Sequence, residues 1–141
     1  PGDQLGDFTI TTAQPGEARF GWDGDCTELP RVEGDPTVRY TCALALDVKF
    51  NPCSAAYSFG SGKSLDEIWA EFKYELWING RPVALPAFGT VDLTHPQVGE
   101  MRAYNVVIVA SQPGEIVIED NTTMPGQPTI HTTATLTFAA P

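Results

Sequence analysis

The chain has 141 residues, eighteen acidic and eight basic side chains and a formal charge of −10 at neutral pH, a sign that repels phosphate backbones and anionic membrane surfaces and excludes a nucleic-acid partner. The length fits one domain, residues 1–141, able to bury roughly two thirds of its unfolded surface, and no apolar run approaches the ~20 residues of a membrane span. Thirteen glycines and twelve prolines separate short runs of Val, Ile, Thr and aromatics, the composition of many turns joining many strands.

The sequence begins at Pro1 without Met or a signal peptide, which fits a processed or trimmed mature domain, and "PGDQLGD" reads as a loose end. Strands are expected over 8–12 and 18–22, the second placing Trp22 inward. "WDGDCTELPRVEGD" then gathers Asp23, Asp25, Glu28 and Asp35 in one glycine-containing loop. Hard oxygen ligands of this kind suit Ca²⁺, and Asp23, Asp25 and Glu28 are the candidate metal ligands. The spacing is not that of an EF-hand, because Thr27 and Glu28 stand where an oxygen ligand and then glycine are needed. A solvated acidic loop is the competing reading.

"VRYTCALALDVKF" alternates without a slip, with Val38, Tyr40, Cys42, Leu44, Leu46, Val48 and Phe50 on one face, and predicts a strand over 38–50. That strand decides among three cysteines, Cys26, Cys42 and Cys53, which allow one intrachain disulfide and leave one thiol over. An extended run from Cys42 to Phe50 covers roughly 26 Å, whereas bridged Cα atoms lie within about 7 Å, so Cys26 is the shared partner. A hairpin between "ARFGW" and the long strand favours Cys26 with Cys42; a crossover favours Cys26 with Cys53. A disulfide implies an oxidising compartment, three reduced thiols a cytosolic one.

"SLDEIWAEFKYELWINGRPVAL" changes period midway. Ser64 and Glu67 form an S-x-x-E capping box, and Leu65, Ile68, Trp69 and Phe72 recur at helical spacing, predicting a short helix over about residues 65–71 that plugs one end of the core. From Phe72 the period becomes two, giving a strand over 72–78 with Tyr74, Leu76 and Ile78 inward and Trp77 outward. Asn79 and Gly80 suit a two-residue type I′ hairpin turn, which sets Trp77 opposite Pro82 in a strand over 82–85. An outward indole on a rigid strand can stack on a sugar or anchor a protein partner, so Trp77 and Pro82 are the candidate binding residues. Cover of the sheet face by Trp77 itself is the bland alternative.

Further strands are expected over 89–93, 101–111, 115–119 and 129–138. "VVIVA" is apolar on both faces, as in a central strand; "SQPGE" places Pro113 and Gly114 for a type II turn. "EDN" at 119–121 is a lesser acidic group, and "NTT" from Asn121 matches a glycosylation pattern. The terminal "TIHTTATLTF" is a long alternating strand of the kind that can add to a neighbour's sheet edge or pair within its own chain.

His95 and His131 are the only histidines. They share no loop with a Cys and a Met, so a blue-copper set fails on spacing. No G-x-S-x-G elbow or Cys with a recognisable partner His marks a nucleophile. Strand count and turn spacing resemble immunoglobulin-like sandwiches, while the Cys, Trp, Cys spacing of true immunoglobulin domains is missing. The expected fold is therefore an all-β, antiparallel, immunoglobulin-like β-sandwich with one short helix. The expected function is a non-enzymatic structural or interaction module, extracellular or at the cell surface, whose partner is another protein or a further copy of itself. The alternative is a carbohydrate-binding module that uses Trp77 on a glycan, with Ca²⁺ as its one candidate cofactor.

Overall fold

The structure, a computed structural model, describes residues 3–5 and 7–140. In chain order the strands are β1 (Asp3–Leu5), β2 (Phe8–Thr11), β3 (Arg19–Phe20), β4 (Cys26–Glu28), β5 (Val38–Ala45), β6 (Phe50–Asn51) and β7 (Ala56–Tyr57). Helix α1 (Leu65–Glu71) follows, then β8 (Lys73–Ile78), β9 (Arg81–Pro82), β10 (Thr90–His95), β11 (Gly99–Tyr104), β12 (Val107–Ala110), β13 (Gly114–Thr123) and β14 (Ile130–Ala139). The fold is all-β and sandwich-like. A six-stranded sheet ordered β4-β5-β14-β13-β8-β9 forms one layer, a five-stranded sheet ordered β1-β2-β12-β6-β3 faces it, and a smaller sheet, β10-β11-β7, joins them.

Alternation builds the large sheet. In β8 and β13 every second side chain is buried, Tyr74, Leu76 and Ile78 in one and Ile116, Ile118 and Asp120 in the other. With Cys42, Leu44, Leu136 and Phe138 the apolar members of this set meet Ile10, Phe20, Phe50, Ile108 and Ala110 in one hydrophobic cluster. Phe8 and Phe138 touch across the layers, ring centroids 5.6 Å apart. β12 is buried on both faces at the middle of its sheet, as its apolar run requires.

Helix α1 begins where the capping box places it. The Ser64 Oγ accepts from the Glu67 N–H at 3.2 Å and the Glu67 Oε1 accepts from the Ser64 N–H at 3.0 Å. Leu65 and Ile68 are buried, and Arg102 of β11 ties the helix down through Asp66 at 2.9 Å while holding Asp92 at 2.7 Å. The Asn79-Gly80 turn has φ of 49° and 79°, as a type I′ loop demands.

Several expectations fail for local reasons. The strand predicted over 38–50 breaks at Asp47, which takes the left-handed conformation (φ 64°) and separates β5 from β6; Asp tolerates that region better than most residues. The strand predicted over 101–111 is likewise two strands, β11 and β12, in different sheets. At their junction the Asn105 side chain donates to the Ala13 carbonyl at 2.9 Å. Residues 21–23 form a 3₁₀ turn rather than strand, and of the 82–85 segment only Pro82 lies in a strand, β9, with a second 3₁₀ turn over Leu85–Phe88. Gly114 does not adopt positive φ, so no type II turn forms. A Cβ at Gly114 would make a tight contact, 3.3 Å from the Phe8 ring. The expected loose N-terminus is a hairpin arm, since β1 pairs antiparallel with β2; Pro1, Gly2, Gly6 and the terminal Pro141 lie outside the described residues.

β14 runs antiparallel to β13 on one side and parallel to β5 on the other. Both its edges are therefore occupied within the chain, which answers the terminal strand's expected choice of partner. Among the described residues no helix is long and apolar enough to cross a membrane.

Candidate functional site

Cys26 and Cys42 are directly opposed across the β4–β5 ladder and form the disulfide, with Cα atoms 4.0 Å apart. Cys53 is the free thiol and is buried. Cys26 is thus the shared partner and Cys53 does not bridge to Cys42, although the break at Asp47 lets all three cysteines line one recess of about 260 Å³ between the two layers.

The large sheet supplies one wall of the recess. Tyr40 and Cys42 come from β5, Ile118 and Asp120 from β13, and Thr132, Ala134 and Leu136 from β14. The facing wall is Phe50, Pro52, Cys53 and Ser54, and the 3₁₀ turn contributes Gly21 and Trp22. Trp22 does not enter the core as its sequence position suggested. It is 39% exposed and lies parallel to Phe20, ring centroids 4.3 Å apart and planes 14° apart, so that the buried Phe20 supports an indole at the surface. Tyr40 is half-buried with its hydroxyl 3.3 Å from Glu28.

Asp120 is the unusual member. It holds an inward position in β13 where the preceding inward residues are isoleucines, and it is only 4% exposed. Its Oδ2 accepts from the Tyr74 hydroxyl at 2.7 Å, while its Oδ1 is buried without a hydrogen-bond partner. Burial pushes its carboxyl up to about 6 against the Tyr74, Thr132 and Ser54 hydroxyls and the nearby His131, which favour the ionised form. Burial also raises the Cys53 thiol, with the negative field of Asp120 adding to the effect. The Tyr74 phenol is raised by burial first and then by Cys53 and Asp120. No Lys, Arg or His lines the recess to offset the carboxylate.

The residues singled out by sequence fall elsewhere. Trp77 is on the outward side of β8, half-buried, opposite Pro82 on one flank and Glu119 on the other. Asp25 binds the Arg19 guanidinium at 2.6 Å, Asp23 accepts from the Phe20 N–H at 2.7 Å, and Glu28 pairs with Arg31 at 3.1 Å. The three carboxylates thus serve separate partners in the loop. Among the described residues no group of three or more His, Cys, Asp or Glu is disposed to hold a metal ion. The Asn121 side chain reaches Glu75 and His131 across the sheet. A second surface groove is lined by Tyr57, Phe59, Met124 and Ile130, with Phe59 66% exposed.

Comparison with protein-family models, with curated proteins and with solved structures gives no match. The chemistry of the recess is therefore the basis for a functional reading.

Proposed function

We propose that this chain is a non-enzymatic interaction module that works outside the cytoplasm, and that a protein partner seats a protruding side chain in the recess beneath Trp22. The observation that carries the reading is the recess itself. It combines an aromatic mouth, apolar walls and a small set of inward polar groups, the composition of a binding site. Its exposed indole rests on Phe20, so it is an anchor whose position is fixed before contact.

The disulfide supports an oxidising location. A binding role is favoured over catalysis because the thiol in the recess is held protonated by burial, and a protonated thiol is a poor nucleophile. The Asp120 carboxylate, for its part, is bonded to the Tyr74 hydroxyl at 2.7 Å.

The test is an NMR titration of the ¹⁵N-labelled protein with blocked single-residue peptides that together present every side-chain type. Shifts confined to Tyr40, Ser54, Asp120 and Thr132 for at least one side-chain type, with the peptide recovered unchanged, are the expected result. Shifts that converge instead on Tyr57, Phe59 and Ile130, or no shifts at the recess, overturn the location. Conversion of a peptide overturns the non-enzymatic role.

A further inference from the structure

We propose that the side chain received by the recess is an alkylammonium group, that of a lysine on the partner, with its nitrogen drawn to the Asp120 carboxylate in the recess wall. This rests on the reading of the recess as a contact site and specifies its ligand chemistry.

The polar groups are the first reason. Asp120 Oδ1 is a buried acceptor without a donor, an arrangement that costs free energy until a donor arrives. The Ser54 and Thr132 hydroxyls line the same recess close to the carboxyl, outside hydrogen-bond geometry with Oδ1. One carboxylate oxygen and two hydroxyl oxygens are three acceptors, and a lysine ammonium carries three donors. A guanidinium fits less well, because its planar fork is suited to two oxygens of one carboxylate and Oδ2 is already bonded to Tyr74. A divalent cation fits less well still, since it needs six or more oxygens and Asp120 is the only carboxylate in the lining.

Charge and shape agree with the donor count. Every titratable group packed around Asp120 is neutral or acidic except His131: Tyr40 from β5, Cys53 after β6, Tyr74 from β8 and His131 from β14. The carboxyl is buried, and no Lys, Arg or His lines the recess beside it. The chain as a whole carries −10 and attracts basic partners. Ile118, Ala134, Leu136 and the disulfide give the four-methylene stem an apolar wall, and Trp22 and Tyr40 offer ring faces to a cation on its way in. A cavity of about 150 Å³ accepts benzene, so one of about 260 Å³ has room for a lysine side chain from Cβ to Nζ.

The experiment titrates the protein with Nα-acetyl-lysine methylamide, with the norleucine analogue, which lacks only the ammonium, with the arginine analogue and with pentylamine. The lysine peptide should bind at the recess at least about tenfold more tightly than norleucine, the range of one charge-assisted hydrogen bond. Asp120→Asn should erase that preference while norleucine binding is unchanged, and Trp22→Ala should weaken both ligands. Should Asp120→Asn fail to fold, the carboxyl resonance of Asp120 in the unaltered protein gives the same answer: saturation with lysine peptide should lower its pKa by about one unit or more, norleucine should not. Equal affinity for lysine and norleucine, an unmoved carboxyl pKa or tighter binding of arginine overturns the inference. Binding by pentylamine as well as the peptide supports a pocket for the ammonium group itself; binding by pentylamine alone overturns the partner lysine. Another side-chain type bound at the recess in the lysine peptide's place refutes the ammonium and leaves the contact site standing.

Discussion

Asp120 governs the pH response of the fold as well as its recess. Its carboxyl titrates at about 6 in the folded chain against 3.8 for an ordinary aspartate, so the folded state holds the proton more tightly than the unfolded one. Stability linked to this group is greatest below pH 4, falls as pH rises through the interval between the two values and stays low above 6. Asp35, held low by its bond to Arg39, and Asp92, held low by Arg102, act in the opposite sense, adding stability that disappears as pH falls through their depressed values. The difference in unfolding free energy between Asp120→Asn and the unaltered protein should therefore move by on the order of 3 kcal/mol in the variant's favour between pH 4 and pH 7; urea unfolding of both proteins at the two pH values checks it. Cys53 gives a second residue-scale expectation. Buried and with its thiol pushed up, it should react with iodoacetamide far more slowly than an exposed cysteine, and rapid labelling of the native protein would contradict its placement. Asp120 was within reach of the sequence, because "EIVIED" alternates and puts it in line with Ile116 and Ile118. Read as part of "EDN", it counted only as one of a lesser acidic group. Trp22 was less accessible, since nothing in "FGWDGD" announces that a 3₁₀ turn replaces the strand and lifts the indole out of the core.

At the scale of elements, the features encoded by neighbouring residues were legible and those set by distant packing were not. The capping box of α1, the Asn79-Gly80 hairpin and the inward set of β8 all follow from spacing within a dozen residues. The two overlong strands do not: Asp47 and Asn105 sit in unbroken apolar patterns, and the corners they make depend on which sheet each half joins. Ser64→Ala removes one half of the capping pair and should lower stability by about 1 kcal/mol in denaturant unfolding, with helix signal lost first. The disulfide between β4 and β5 closes a separation of 16 residues, and replacing both cysteines by serine should cost about 3 kcal/mol. For a chain of this length that corresponds to a fall of about 10 °C in melting temperature by calorimetry. A much smaller fall would mean that β4 is held by its ladder alone.

At the scale of the whole molecule, composition and turn spacing were enough for the layered all-β class, because counting strands needs no knowledge of which pair with which. The recess lay beyond that reach: its walls come from five separated segments, and a gap between two sheets depends on how closely they approach. Sheet order carries one further consequence. β14, the last strand, occupies an internal position in the large sheet, between β5 and β13. Pairings this distant along a chain are slow to form, and refolding from urea should take milliseconds to seconds in stopped-flow fluorescence. On a ribosome the large sheet cannot close until residues 130–139 have left the exit tunnel, so the facing edges of β5 and β13 stay unpaired until then. A holdase that shields them during that interval, or export of the chain before it folds, would be the natural safeguard against clumping.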